Sequence, residues 1–166
     1  MQSSTLYKVT DEVTDDDFTF TSMFIPIGYG KGRDIIMTAD PFFITLIKKD
    51  TLDLDFIIQF GPSQIKLIDK FFNEIKSAVS LCSQDALQET FMHSLGGGLF
   101  VRVTPSIYCV TFGKFYRHNK ICLNFKEFEL FVRNWKSAIY FVPYKDAEIC
   151  EFDSIDDHYS CPSCWF

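Results

Sequence analysis

The chain has no run of about 18 uninterrupted apolar residues, and its N-terminal MQSSTLYKVTDEVTDDD is polar and acidic where a secretory signal would be basic and then apolar. Both absences lead to the expectation of an intracellular protein with no membrane partner. There is no Walker loop, no nucleophile elbow and no His-Glu-x-x-His helix, so no enzyme class is indicated. Asp53 and Asp55 lie two apart on one strand face, a spacing that suits solvent exposure better than acid–base work. Histidine is scarce, and His93 stands alone beside Met92 as a surface or packing residue. Six cysteines are scattered without the compact spacing of a disulfide framework, which fits reduced thiols. Cys109 and Cys122, inside apolar strands, are expected to be buried and inert.

Phenylalanine is what the chain has in abundance. It supplies 19 rings beside 7 Tyr and 2 Trp, and a ring without a polar handle builds core. At 166 residues the chain can bury such a core without covalent staples. The Phe- and Ile-rich, Ala-poor composition fits an AT-rich genome such as a virus carries. Charge is segregated beneath the net −6. Residues 98–145 hold eight Lys and Arg against Glu127 and Glu129, a net +6, whereas residues 146–166 hold six acids and no Lys or Arg, a net −6. A basic module sits inside an acidic envelope, and a whole-chain pI near 5.0 hides it.

The chain repeats itself. IIMTADPFFITLI at 35–47 and LFVRVTPSIYCVTF at 99–112 both read as strand, proline break, strand, with Pro41 falling on Pro105 at an offset of 64. Further on, Ile58, Phe60, Ile65, Leu67, Ile68 and Phe72 fall on Ile121, Leu123, Phe128, Leu130, Phe131 and Trp135 at an offset of 63. Period-2 apolar runs followed by spacings of three and four predict strands and then a helix in each copy. The first helix is expected over 62–80 with Pro62 and Ser63 at its start. The second is expected over 125–140, capped by Asn124 with Glu127 completing a box. The segment from Phe18 to Ile27 reads as an edge strand because of Pro26. The glycine-rich turn from Gly28 to Arg33 reads as a flexible connector. The expected organisation is a flexible acidic arm (1–17), a first sheet–helix unit (18–80), a linker with one possible helical turn and a triple-glycine break (81–97), a second, basic unit (98–145) and an acidic tail (146–166).

Lys120-Ile-Cys-Leu-Asn124-Phe-Lys-Glu127-Phe-Glu-Leu130 resembles the K-G-I-S-L-N-x-x-x-W-x-x-L segment of the positive cofactor four (Sub1-like) transcriptional coactivators. The resemblance covers 99–135 and, in outline, 35–80. It implies an α+β fold of two tandem β-β-β-β-α units, each a curved antiparallel sheet plus a helix, paired as an intrachain pseudo-dimer. A monomer of that kind, or a homodimer of it, would follow. It also implies a nuclear, single-stranded nucleic-acid-binding protein, DNA before RNA, acting in transcription, replication or repair without a cofactor. By position, Arg102, Lys114, Arg117 and Lys120 match family residues that contact phosphates or bases, and Phe115 and Tyr116 are candidate stacking platforms. Cations that track phosphates and rings that stack bases are what such a ligand requires. Alternation along the strand puts Lys114 and Tyr116 on one face and Phe115 and Arg117 on the other, so one set faces the ligand. The first unit has Thr38, Asp53 and Asp55 at equivalent places and few cations beyond Lys48 and Lys49.

The tail ends in CPSCWF and is similar to the acidic, aromatic-ended tails of prokaryotic and phage single-strand binding proteins. It is expected to cover the basic surface from Lys114 to Arg133, or to dock a protein partner through Trp165 and Phe166. A zinc reading would use Cys150, His158, Cys161 and Cys164, but no second paired cluster accompanies them, and the metal expectation is none. The alternative function is a protein–protein adaptor that keeps the duplicated fold without nucleic-acid binding.

Overall fold

The period-2 and helical runs fold as two tandem sheet–helix units in the computed structural model, which describes residues 7–11, 20–49, 55–115 and 120–147. The first sheet is antiparallel with its strands in sequential order: β1 (Tyr7–Asp11), β2 (Phe20–Pro26), β3 (Ile35–Ala39), β4 (Ile44–Lys49) and β5 (Asp55–Phe60), followed by α1 (Pro62–Ser83). The second runs β6 (Phe91–Gly96), β7 (Leu99–Thr104), β8 (Ile107–Lys114) and β9 (Lys120–Asn124), followed by α2 (Phe125–Ile139). Strand pairing fixes the equivalence of the two copies. Ala39 faces Ile44, which faces Phe60; Val103 faces Val110, which faces Leu123. The offset of 64 therefore holds for β3 and β7, an irregularity after Val103 changes it for β8, and the offset of 63 holds from β9 into the helix.

Four expectations change. Tyr7–Asp11, inside the segment expected as a flexible arm, pairs with β2 as the edge strand, so β2 is interior. Among the described residues β1 pairs as far as Phe24, which leaves Pro26, with no N–H to donate, paired on the β3 side alone. The expected helical turn and triple-glycine break of the linker are instead β6 and its hairpin turn. Gly97 and Gly98 adopt φ of 63° and 78°, the left-handed pair that a two-residue hairpin demands, so the second unit begins at Phe91. Finally, α1 is capped at Gly61, whose N–H donates to Gln64 Oε1 at 2.9 Å, and Ser63 lies buried inside the first turn.

One core runs through both units. α1 lies against β6, β7 and β8 of the other unit, and α2 against β8 and β9 of its own unit and β3 of the first. A column of rings joins them: Phe60 on β5 meets Phe112 on β8 at 5.3 Å, Phe112 meets Phe131 at 5.4 Å, Phe131 meets Trp135 at 5.2 Å, and Trp135 stacks on Phe72 of α1 at 5.8 Å. Aromatic pairs at these separations add to simple burial. His93 is a packing residue, stacked 4.1 Å from Phe71 with Nε2 3.1 Å from Glu74. After α2 the chain crosses back to α1, where Tyr144 donates to Asp69 at 3.2 Å and Lys66 Nζ donates to the carbonyls of Lys145 and Ala147 at 2.7 and 3.0 Å.

The hairpin loop of each unit touches the helix cap of the other. The β2–β3 loop, expected as a flexible connector, is tied to the fully buried Glu127 at the start of α2. Glu127 Oε1 accepts from Asn124 N (2.8 Å) and Arg33 Nη2 (2.6 Å); Oε2 accepts from Tyr29 N (2.9 Å) and Arg33 Nε (3.1 Å). Arg33 also donates to the Cys122 carbonyl at 2.7 Å, and the carboxylate holds its guanidinium more firmly protonated than usual. In the mirrored position, a Cβ on Gly97 would lie 2.8 Å from Gln64 Nε2. Arg33→Met leaves a buried carboxylate without its cation and is expected to cost about 3–5 kcal/mol. Glu127→Gln reproduces the Gln64 arrangement and is expected to cost about 1–2 kcal/mol. Denaturant midpoints compare the two, and equal losses would show that the charge is not what holds the joint.

Candidate nucleic-acid interface

Alternation about the core-facing rows assigns the outer face of the second sheet. Leu99, Val101, Val103, Val110, Phe112, Ile121 and Leu123 are buried in the core, so their neighbours along each strand face away from it. Two cross-strand rows result. One runs Ser94, Phe100, Gly113, Lys120; the next runs Met92, Arg102, Thr111, Cys122. Arg102 and Lys120, both expected to touch the ligand, therefore share a face in adjacent rows.

The local geometry is built around Gly113. A Cβ there would lie 2.8 Å from Phe100 Cζ and 3.0 Å from Lys120 Cγ, so only glycine lets the Phe100 ring and the Lys120 stem close over β8 from either side. Phe115 packs at 4.8 Å from Phe100, and the Arg102 guanidinium lies 5.5 Å from the Phe100 ring centre. Arg102 Nε is buried with no hydrogen-bond partner. Phe115 is half-buried and belongs to this cluster, while Phe100, which the sequence did not single out, is almost fully covered and acts as its floor. A glycine inside a strand was the available signal for it.

Lys114 separates from the group. It pairs with the core-facing Leu99 and so belongs to the opposite face at the strand end. Tyr116 and Arg117 fall outside the described residues, as do Cys150, His158, Cys161, Cys164 and the Trp165-Phe166 end. Among the described residues no three His, Cys, Asp or Glu side chains gather into a metal-sized group, and no helix is long and apolar enough to cross a membrane.

The equivalent rows of the first sheet are Pro26, Ile36, Ile47, Ile57 and Phe24, Thr38, Thr45, Gln59. Thr38 stands where the second unit has Arg102, and Ile57 where it has Lys120. The fold is shared and the cations are not. Lys48 of β4 pairs with the core-facing Ile35 and so, like Lys114, lies off this outer face at the strand end.

Cys109 and Cys122 are not buried in the core as expected. Both lie half-exposed on the outer face, because strand alternation puts them out of the apolar row that surrounds them. Their thiols influence one another. The Cys109 thiol, donating to Cys122, holds the Cys122 thiol down to about 5 against the opposing effect of burial, with help from the Thr111 hydroxyl, Lys48 and Arg102; Cys109 is pushed up in return. Cys82, fully buried, is pushed up by burial.

Comparison of the chain with protein-family models, with curated proteins and with solved structures finds no match.

A thiol alkylates as its thiolate, so Cys122 is expected to react with iodoacetamide at a rate that has levelled off by about pH 7, whereas an ordinary thiol near about 8.5 still gains about tenfold per pH unit there. Peptide mapping of the folded protein follows each cysteine separately. A Cys122 rate that climbs steadily through pH 8 would contradict the perturbed thiol.

Proposed function

We propose that the outer face of the second sheet binds single-stranded nucleic acid, as the coactivators resembled by 99–135 do. The observation that carries this reading is the joint placement of Arg102 and Lys120 beside the Phe100–Phe115 ring pair, on a face whose counterpart in the first unit has Thr38 and Ile57. Cations on such a face neutralise phosphates, and a ring at its edge offers a stacking surface that any base can use. The net +6 of residues 98–145 supplies the long-range attraction. Half-burial of Arg102 against a ring limits its hydration, which favours a ligand that brings its own anionic oxygens.

Binding of a labelled single-stranded oligonucleotide across a salt series tests this. Log affinity is expected to fall linearly with log salt, and Arg102→Ala or Lys120→Ala to lower affinity several-fold and flatten the slope by about 0.7 for each phosphate no longer neutralised. Lys114→Ala, on the opposite face, is expected to change affinity by less than about twofold. Absence of binding at low salt overturns the proposal and leaves the adaptor reading; equal losses at Lys114 and Lys120 would show that the outer face is not the interface.

A further inference from the structure

The three cysteines among the described residues have different surroundings. Cys82 has no exposure, and its thiol donates to the carbonyls of Thr104 and Pro105 at 3.6 and 3.8 Å. Cys109 and Cys122 face outward on neighbouring antiparallel strands. Cys109 pairs with Asn124 and Cys122 with Thr111, so the two thiols lie on one diagonal of the ladder, on the same side of the sheet. The Thr111 hydroxyl sits between them, 3.9 Å from Cys109 Sγ and 3.4 Å from Cys122 Sγ. Arg102 occupies the same cross-strand row as Cys122, two strands away across Thr111. A thiol with a hydroxyl at hydrogen-bond distance, a cation in its own cross-strand row and a second thiol on the adjacent diagonal has the surroundings of a reactive cysteine, and its neighbour is placed to resolve the product. The first sheet has Gln59 at the position of Cys122, so this chemistry, like the cations, belongs to the second unit alone.

We propose that Cys109 and Cys122 form an oxidisable thiol pair whose oxidant is a hydroperoxide. The Cys122 thiolate attacks the terminal peroxide oxygen: an S–O bond forms, the O–O bond breaks, two electrons pass from sulfur to the peroxide, and the departing alkoxide or hydroxide takes a proton from water. Cys109 sulfur then attacks the sulfenic sulfur of Cys122. An S–S bond forms, the S–O bond breaks, and the leaving hydroxide combines with the Cys109 proton as water. Two thiols and one hydroperoxide thus give one disulfide, one alcohol or water from the peroxide, and one further water. Disulfide closure removes the Cys122 anion from the basic face.

The test needs no nucleic acid and is independent of the function proposed above. The folded full-length chain is treated with hydrogen peroxide at a few equivalents, free thiols are capped with N-ethylmaleimide, and the protein is digested with trypsin. Cleavage at Arg102, Lys114, Lys120 and Lys126 puts Cys109 on the peptide 103–114 and Cys122 on 121–126. The expected product is these two peptides joined by a disulfide, with Cys82 still capped as a free thiol. Cys109→Ser is expected to leave Cys122 as a sulfenic acid that dimedone traps, and Cys122→Ser to leave Cys109 reduced. Recovery of both peptides as capped thiols, oxidation of Cys82 as readily as Cys122, or disulfides that join Cys122 only to the C-terminal cysteines would overturn the proposal.

Discussion

The Glu127 carboxylate is buried at the N-terminus of α2 with no access to water, and elements of both units converge on it to supply its hydrogen bonds. A carboxylate in that position needs all of its lone pairs occupied. One of its partners, the Asn124 backbone N–H, comes from its own unit. The other two, Arg33 and the Tyr29 backbone, come from a loop 94 or more residues away. The carboxylate therefore fixes the end of β9, the first turn of α2 and the β2–β3 loop of the opposite unit to one point. The aromatic column from Phe60 to Phe72 joins the units through the core, and the ion pair joins them at the rim. With both in place, β9 is held as a strand whose outward residues, Lys120 and Cys122, have defined neighbours.

The outer faces show how two copies of one architecture diverge. Their core-facing rows are interchangeable in character: Ala39, Ile44 and Phe60 against Val103, Val110 and Leu123. Their outward rows are not. Aliphatic residues and threonine on the first sheet give way to Arg102, Lys120, the Phe100–Phe115 pair and two thiols on the second. Because strand alternation separates the outward rows from the core-facing ones, the outward residues can change without disturbing the shared frame. Chemistry concentrated on one copy is the physical form that specialisation takes here.

Much of the fold was legible because its signals are local or periodic. Ile58 and Phe60 announce a strand, Ile65, Ile68 and Phe72 a helix face, and their recurrence as Ile121, Leu123, Phe128, Phe131 and Trp135 announces the second copy. What misled was local chemistry with two meanings. Gly96 to Gly98 suits a linker as well as a tight hairpin, and only pairing of Phe91 with Val103 decides between them. Asn124 and Glu127 make a complete capping box, so nothing in the sequence asked for a distant Arg33. The candidate site was legible in part. Arg102 and Lys120 were found by type and position, but which face each residue of 109–122 occupies depends on register, and that separated Lys114 from Lys120 and brought Cys109 and Cys122 outward from strands that read as wholly apolar.

The unequal caps also decide which halves can marry. Two copies of the second unit, joined in the same geometry, would each bury Glu127 against a glycine turn with no cation to offer. Two copies of the first would each bring Arg33 to an uncharged Gln64. Only the unlike pair satisfies both ends. The asymmetry of one acidic and one amide cap is thus a key cut differently on its two sides, favouring the union of a first half with a second and penalising like with like, whether the partner lies in the same chain or in a neighbouring one.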